Sequence, residues 1–275
     1  ISMIFADNCS YVSVKKCKFQ DAFIVTTQSA VELQTKVENG SVIVEECEFI
    51  NIISNRYPLL ATLKVRGDIK FKATINRNNF TNCSATDSYS GALYVVDSSH
   101  EDISEYIITN NIFRNNSGNN AGAIYLNSLN PKSKFNFNNN IFSMNKNNVT
   151  DSIGCDVNIV INYYSYNQTS NITGDVIKNW FKGSTTDSVN ESIHYETYQD
   201  GNITESGNLS LPNSSGKSMN IGLIIGIVVG SVIFVSAIIV TIIIVVVLYK
   251  RKKSMYIKAG QMSESLLLGP QQDSI

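Results

Sequence analysis

The residues able to do chemistry are few in this chain, and most stand apart. The densest cluster is Asp97-Ser98-Ser99-His100-Glu101-Asp102, with Asp87 upstream. Carboxylates beside an imidazole could form a general acid/base pair or a calcium site, either of which suits cleavage of a polysaccharide. Asp97, His100 and Asp102 are therefore the catalytic candidates, and a solvated loop is the competing reading. Asp151 and Asp156 flank Gly154 and Cys155; the matching repeat positions carry no acids, so no acidic ladder is expected. Two histidines and five dispersed cysteines, with no CxxC, leave too few ligands for a zinc ribbon or finger. No cofactor is expected. A formal charge of −1 over 275 residues gives no basic face for nucleic acid.

A second chemistry is N-glycosylation, whose acceptor is Asn-x-Ser/Thr. The pattern occurs at Asn8, Asn39, Asn79, Asn82, Asn115, Asn148, Asn167, Asn171, Asn190, Asn202, Asn208 and Asn213. All twelve precede residue 221. The chain holds about thirty asparagines, well above ordinary usage.

Positioning these residues falls to a repeat. Six segments align without gaps: VSVKKCKF (12–19), VIVEECEF (42–49), ATINRNNF (73–80), YIITNNIF (106–113), FNFNNNIF (135–142) and VNIVINYY (157–164). Positions one and three are apolar. Position six is Cys17, Cys47, Asn78, Asn111, Asn140 and Asn162; position eight is aromatic throughout, from Phe19 to Tyr164. The starts are separated by 30, 31, 33, 29 and 22 residues. Between the copies Ser90-Gly91-Ala92-Leu93-Tyr94 recurs as Ala121-Gly122-Ala123-Ile124-Tyr125, and more weakly as Ile153-Gly154-Cys155-Asp156-Val157. Ala22–Val25 and Leu59–Leu63 are expected at equivalent places without the glycine.

Short strands with inside/outside alternation cannot bury an apolar face alone. Stacking one coil on the next sets parallel strands about 4.8 Å apart and puts like side chains over like. The aromatic residues then form an internal stack, and the position-six amides form a ladder. Glycine before Ala-Leu/Ile-Tyr fits a tight corner that a Cβ would obstruct. The expected fold is all-β, a parallel β-solenoid of about 30 residues per turn. Leucine-rich repeats lack their frame here, helical repeats their 3.6-residue period, and an immunoglobulin sandwich its Cys…Trp…Cys.

Stacking also places Cys17 over Cys47, with Cα atoms about 4.8 Å apart, inside the disulfide range. A bond and a pair of buried thiols both remain open. Cys9, Cys83 and Cys155 have no partner that the sequence assigns.

Phe113-Arg114-Asn115-Asn116 and Phe142-Ser143-Met144-Asn145 match FxxN, and Gly91-Ala92-Leu93 and Gly122-Ala123-Ile124 match the end of GGA[ILV]. These tetrapeptides resemble the repeats of chlamydial polymorphic outer-membrane proteins and of similar protist surface proteins. They also look like the pectin-lyase-type right-handed parallel β-helix superfamily. The resemblance spans residues 9–165 and implies a right-handed coil, with adhesion or surface display as function.

Ile221 to Tyr249 carry no charge, and Lys250-Arg251-Lys252-Lys253 follow directly. A helix of 29 residues is about 43 Å long at 1.5 Å per residue, enough for a hydrocarbon core of about 30 Å. The basic flank puts the C-terminus in the cytoplasm and the repeats outside. Such a type I topology departs from the bacterial proteins, which end in a membrane β-barrel. Gly222, Gly226 and Gly230 share one helix face and are candidates for pairing two such helices into a homodimer. The chain opens at Ile1 without a signal peptide, so a fragment with more coils upstream is expected.

The expected organisation is 1–165 repeats, 166–220 cap and Ser/Thr/Asn-rich stalk, 221–249 membrane helix, and 250–275 cytoplasmic tail. Val176, Ile177, Trp180 and Phe181 are the capping candidates, and a flexible stalk is expected beyond about residue 184. The tail offers a basic patch for anionic lipid and Glu264-Ser265-Leu266-Leu267-Leu268, loosely like a dileucine sorting signal. The expected function is a non-enzymatic, plasma-membrane surface protein that binds an extracellular glycan or a host or matrix protein. A membrane-anchored polysaccharide lyase or hydrolase and a structural coat component are the alternatives.

Overall fold

In the computed structural model, residues 3–25, 28–55, 61–149, 155–163, 172–188 and 191–214 are described. They fall in one compact unit, residues 1–216. Ile221–Tyr249 with its three glycines, the tail, Asp151, Tyr164, Asn167, Asn171 and Asn190 lie outside the described residues. Among the described residues no helix is long and apolar enough to cross a membrane.

The chain winds as a parallel β-solenoid of about five turns. Its strands fall into parallel sheets of eight, nine and five strands, with one antiparallel strand at the end of the eight-stranded sheet. The turn that starts at Leu63 shows the plan. Leu63–Gly67 joins the eight-stranded sheet, Phe71–Asn76 the five-stranded sheet, and Asn79–Thr81 and Ser84–Thr86 the nine-stranded sheet. Val31, Leu63, Leu93, Ile124 and Val157 stand in one register, so each turn takes 30 to 33 residues.

Two left-handed corners recur in every turn. One falls at Lys16, Glu46, Arg77, Asn110 and Asn139, with φ between 54 and 58°. The other falls at Asp21, Asn51, Asn82, Asn115 and Met144, with φ between 52 and 55°. Asparagine tolerates this backbone region better than most residues, which accounts for part of the asparagine content.

The interior is built of stacks. Phe19, Phe49, Phe80, Phe113 and Phe142 lie ring over ring, with centroids 5.0, 4.7, 5.0 and 5.3 Å apart. Beside them runs the amide ladder of position six. Asn78 N–H donates to Asn111 Oδ1 and Asn111 N–H to Asn140 Oδ1, each at 2.9 Å. Gly91 and Gly122 sit where the backbones of neighbouring turns meet. A Cβ on Gly91 would lie 2.7 Å from Cys83 O, and one on Gly122 2.6 Å from Lys146 N. Close approach, not positive φ, demands glycine at both.

Four expectations change. Val157–Tyr163 belongs to the eight-stranded sheet, with Val157 beside Ile124, so it is not a sixth copy of the aromatic segment. That place is taken by Ser184, whose Oγ accepts from Asn140 N–H, and by Thr185–Thr186, paired with Ile141–Phe142. The third Gly-Ala motif is shifted by one residue: Cys155-Asp156-Val157 stand against Gly122-Ala123-Ile124. Ala22 and Phe23 pair in the nine-stranded sheet, so Val31 holds the place assigned to Ala22–Val25, whereas Leu63, the end of Leu59–Leu63, does stand beside Leu93. The fourth change is the stalk. Ile193–Gln199 pairs in parallel with Val157–Tyr163, and Asn202–Leu209 folds back along it. Ile193, Tyr195 and Thr197 alternate inward and are buried, so the sheet continues where flexible chain was expected.

The helix Gly174–Trp180 buries Ile177. The Phe181 ring stacks on Phe137 at 4.8 Å, and Trp180 tilts against Phe135 at 5.0 Å. These rings cover the aromatic core of the last amide-ladder turn.

Candidate functional site

The three catalytic candidates are not brought together. Asp97 ends its strand pointing inward and is fully buried. Its Oδ1 accepts from the Ser99 hydroxyl, from Ser99 N–H at 3.2 Å and from Tyr106 OH at 3.2 Å; its Oδ2 accepts from Ser128 Oγ at 2.8 Å. Burial raises the Asp97 carboxyl above its ordinary value, against the pull of these hydroxyls. Such hydroxyl donors answer the desolvation of a buried carboxyl. His100 and Asp102 are exposed on the loop that follows, where Asp102 O accepts from Asn130 Nδ2 at 2.8 Å.

Asp156 is a second inward carboxyl. Its Oδ1 accepts from Asn145 Nδ2 at 2.9 Å and its Oδ2 from Thr186 Oγ1 at 2.7 Å. Burial pushes it up to about 6. Asp156 terminates a second amide ladder, made by the asparagines of FxxN. Cys83 N–H donates to Asn116 Oδ1 at 2.9 Å, and Asn116 N–H to Asn145 Oδ1 at 3.1 Å. The last asparagine of FxxN directly follows the left-handed corner at Asn115 and Met144, and that position is the sequence signal for a ladder.

The outer faces carry rows of charge. The aligned copies KKCK (15–18) and EECE (45–48) lie over one another. Lys15 pairs with Glu45 at 2.9 Å, Lys16 with Glu46 at 3.8 Å and Lys18 with Glu48 at 3.9 Å. This zipper was visible in the alignment. On the eight-stranded sheet, Lys64 and Glu32 form a largely buried pair at 3.0 Å, and Lys64 Nζ stands 5.9 Å from the Tyr94 ring. Tyr89, Tyr94 and Tyr125 cluster beside it. Burial pushes the Tyr94 phenol up to about 12.

The five-stranded sheet presents an outward face of mixed charge. Ser41, Lys72, Glu105 and Lys134 make one outward row, and Ile43, Thr74 and Ile107 the next. A groove of 380 Å³ opens at the start of these strands, lined among others by Asn39, Lys70, Lys72, Ile103 and Lys134. Lys72 pairs with Glu105 at 2.9 Å. Lys70 and Lys134 have no ion pair among the described residues. Two strand spacings separate Lys72 from Lys134, about 10 Å. Lys72 and Lys134 both stand immediately before an aligned segment, but Ser41 and Glu105 hold that place in other turns, so the alignment does not mark the row as cationic.

Of the sequons in the described residues, Asn8, Asn39, Asn82, Asn115, Asn148, Asn202 and Asn213 are exposed, and Asn79 and Asn208 are half-buried. Asn82 and Asn115 are rungs of an outer ladder. Asn115 Nδ2 donates to Asn82 Oδ1 at 2.7 Å, Asn82 Nδ2 to Asn51 Oδ1 at 3.0 Å, and Asn51 Nδ2 to Asp21 Oδ1 at 2.9 Å. No sequon lies within the strands of the five-stranded sheet, though Asn39 stands at the rim of its groove. All five cysteines are free thiols.

Comparison with known proteins found no family model, no curated protein and no solved structure that matches this chain.

Proposed function

We propose that this chain is a cell-surface protein whose solenoid stands outside the cell and binds a glycan or a matrix protein on its five-stranded face. The groove beside Lys70 and Lys134 carries the reading. It combines two cations without ion pairs among the described residues, amide and hydroxyl groups from Asn39 and Ser41, and apolar groups from Phe71 and the exposed Ile103. Cations and hydrogen-bonding groups beside apolar surface suit a polar ligand. The charge-free run Ile221–Tyr249 with Lys250–Lys253 behind it supports anchoring as a single-pass helix, C-terminus inside. The glycine face of that run supports pairing in the membrane. The FxxN and Gly-Ala tetrapeptides support a likeness to polymorphic outer-membrane-type and pectin-lyase-type coils.

The test uses cells that express the full chain tagged at both ends. Antibody to the N-terminal tag is expected to stain intact cells, and antibody to the C-terminal tag only permeabilised ones. Immobilised glycans and matrix proteins then probe binding, with Lys70→Gln/Lys134→Gln expected to weaken the retained ligand at least fivefold. An N-terminal tag hidden on intact cells overturns the display, and unchanged binding by the double variant overturns the groove.

A further inference from the structure

We infer that Cys17 and Cys47 are a disulfide site that staples the first two turns of the solenoid. The inference rests on the proposed extracellular display for its oxidising surroundings. Lys15 faces Glu45 and Lys18 faces Glu48 in the parallel ladder, which sets Cys17 opposite Cys47. The zipper of Lys15–Glu45, Lys16–Glu46 and Lys18–Glu48 holds that register on both sides of the cysteines. Neighbouring parallel strands put such a pair at a Cα separation of about 4.8 Å, within the range that disulfides span. Cys17 packs against the apolar cluster that contains Cys47.

The ladder shows why this place differs from the rest. Position six of the following turns is Asn78, Asn111 and Asn140, and each amide bonds the turn next to it. That ladder reaches Cys47, whose N–H donates to Asn78 Oδ1 at 2.9 Å. A thiol is a weak acceptor and cannot carry the amide bonds one turn further. Both thiols donate to nearby carbonyls instead, Cys17 to Lys15 O and Cys47 to Val14 O and Glu45 O. A covalent rung takes the place of the amide one.

Access is also graded. Cys17 is partly exposed and Cys47 is buried. The Cys17 thiolate attacks a small disulfide or the disulfide of an oxidoreductase, forming a mixed disulfide and releasing one thiol. Cys47 then loses its proton to solvent and attacks the Cys17 sulfur, breaking the mixed bond and releasing the second thiol. Two electrons pass to the oxidant and one inter-turn S–S bond remains. Cys83 has no cysteine partner in register, and its buried thiol is pushed up to about 11, so it stays reduced.

The test equilibrates the purified full chain in buffers of oxidised and reduced glutathione, alkylates free thiols under native conditions and maps peptides by mass spectrometry. The expected product joins the Cys17 and Cys47 peptides, while Cys83 takes the alkyl label only after unfolding. Cys17→Ser and Cys47→Ser should each abolish the joined peptide. Glutathione left on Cys17 with Cys47 free, or both thiols still free, would overturn the site. A joined peptide in these buffers from a chain that cells hold unglycosylated and inside keeps the site and rejects the surface reading. A displayed, glycosylated chain that forms no joined peptide does the reverse.

Discussion

The side-chain oxygen of Asn111 accepts from both the backbone N–H and the side-chain Nδ2 of Asn78, at 2.9 and 3.0 Å, one full turn away. Asn111 Nδ2 meanwhile donates to Ile75 O at 2.9 Å and to Asn140 Oδ1 at 3.1 Å. Both residues are essentially excluded from water. One amide thus satisfies polar groups on the two turns that flank its own.

Asn111→Leu should therefore be among the most damaging single changes. It orphans Asn78 N–H, a lone pair of Ile75 O and part of Asn140. Each buried group left unpaired costs about 1–3 kcal/mol, so a loss of about 3–5 kcal/mol is expected. Urea denaturation followed by circular dichroism measures it. A loss under about 1 kcal/mol would mean that water or a shifted backbone replaces the rung.

The phenylalanine stack makes a separate demand. Phe80 lies between Phe49 and Phe113, 4.7 and 5.0 Å away, and is fully buried. Phe80→Ala opens a cavity inside a stack whose neighbours are fixed by their own strands, so little collapse can fill it. The expected cost is about 3–5 kcal/mol, with Phe80→Leu markedly milder. Thermal melts of the two variants should preserve that order.

Gly122→Ala tests the close approach between turns. The new Cβ would lie 2.5 Å from Asn116 O and 2.6 Å from Lys146 N, and both are backbone atoms. Side-chain rotation cannot relieve that overlap, so the turns must separate locally. A destabilisation of about 1–3 kcal/mol is expected, whereas Gly201→Ala meets no neighbouring atom and is penalised only by its φ of +80°. Denaturant midpoints of both variants distinguish overlap from backbone strain.

Much of this fold could be read from position eight, because one aromatic per turn at constant spacing has few structural uses. The misplacement of Val157–Tyr163 has a definite cause. Alternation is the same in all three sheets, so it marks a strand without saying which. Position five does say which: Lys16, Glu46, Arg77, Asn110 and Asn139 all adopt positive φ. In VNIVINYY that position is Ile161, and a β-branched residue avoids that region. The strands beyond residue 184 were hidden for another reason. Polar composition there pointed to loose chain, yet Ile193, Tyr195 and Thr197 keep a period of two. In the groove, Lys72 and Lys134 share one repeat position two turns apart, but Glu105 lies between them and Lys70 stands two residues before Lys72, so no run of lysine marked the site.

Asp156 gives the fold a pH dependence whose sign is fixed by its surroundings. Burial raises its folded carboxyl to about 6 from an ordinary 3.8, opposed by hydrogen bonds from Thr186 and Asn145; Asp187 adds to the rise. The folded state therefore holds the proton more tightly than the unfolded one. The stability it contributes is fully present below about pH 4 and is lost as pH rises through about 6. A shift of roughly two pH units corresponds to about 3 kcal/mol. Glu45, lowered by its hydrogen bond from Lys15, works in the opposite direction, and Asp97 in the same one, so the wild-type profile alone cannot isolate Asp156. Asp156→Asn can. Its amide accepts from Asn145 and can donate to the Thr186 hydroxyl, but it carries no charge at any pH. The variant's stability relative to wild type should thus rise between pH 4 and pH 7 by up to about 3 kcal/mol, measured as denaturation midpoints at one-unit intervals. A difference that stays constant across that interval would mean that water reaches the Asp156 carboxylate inside the last turns.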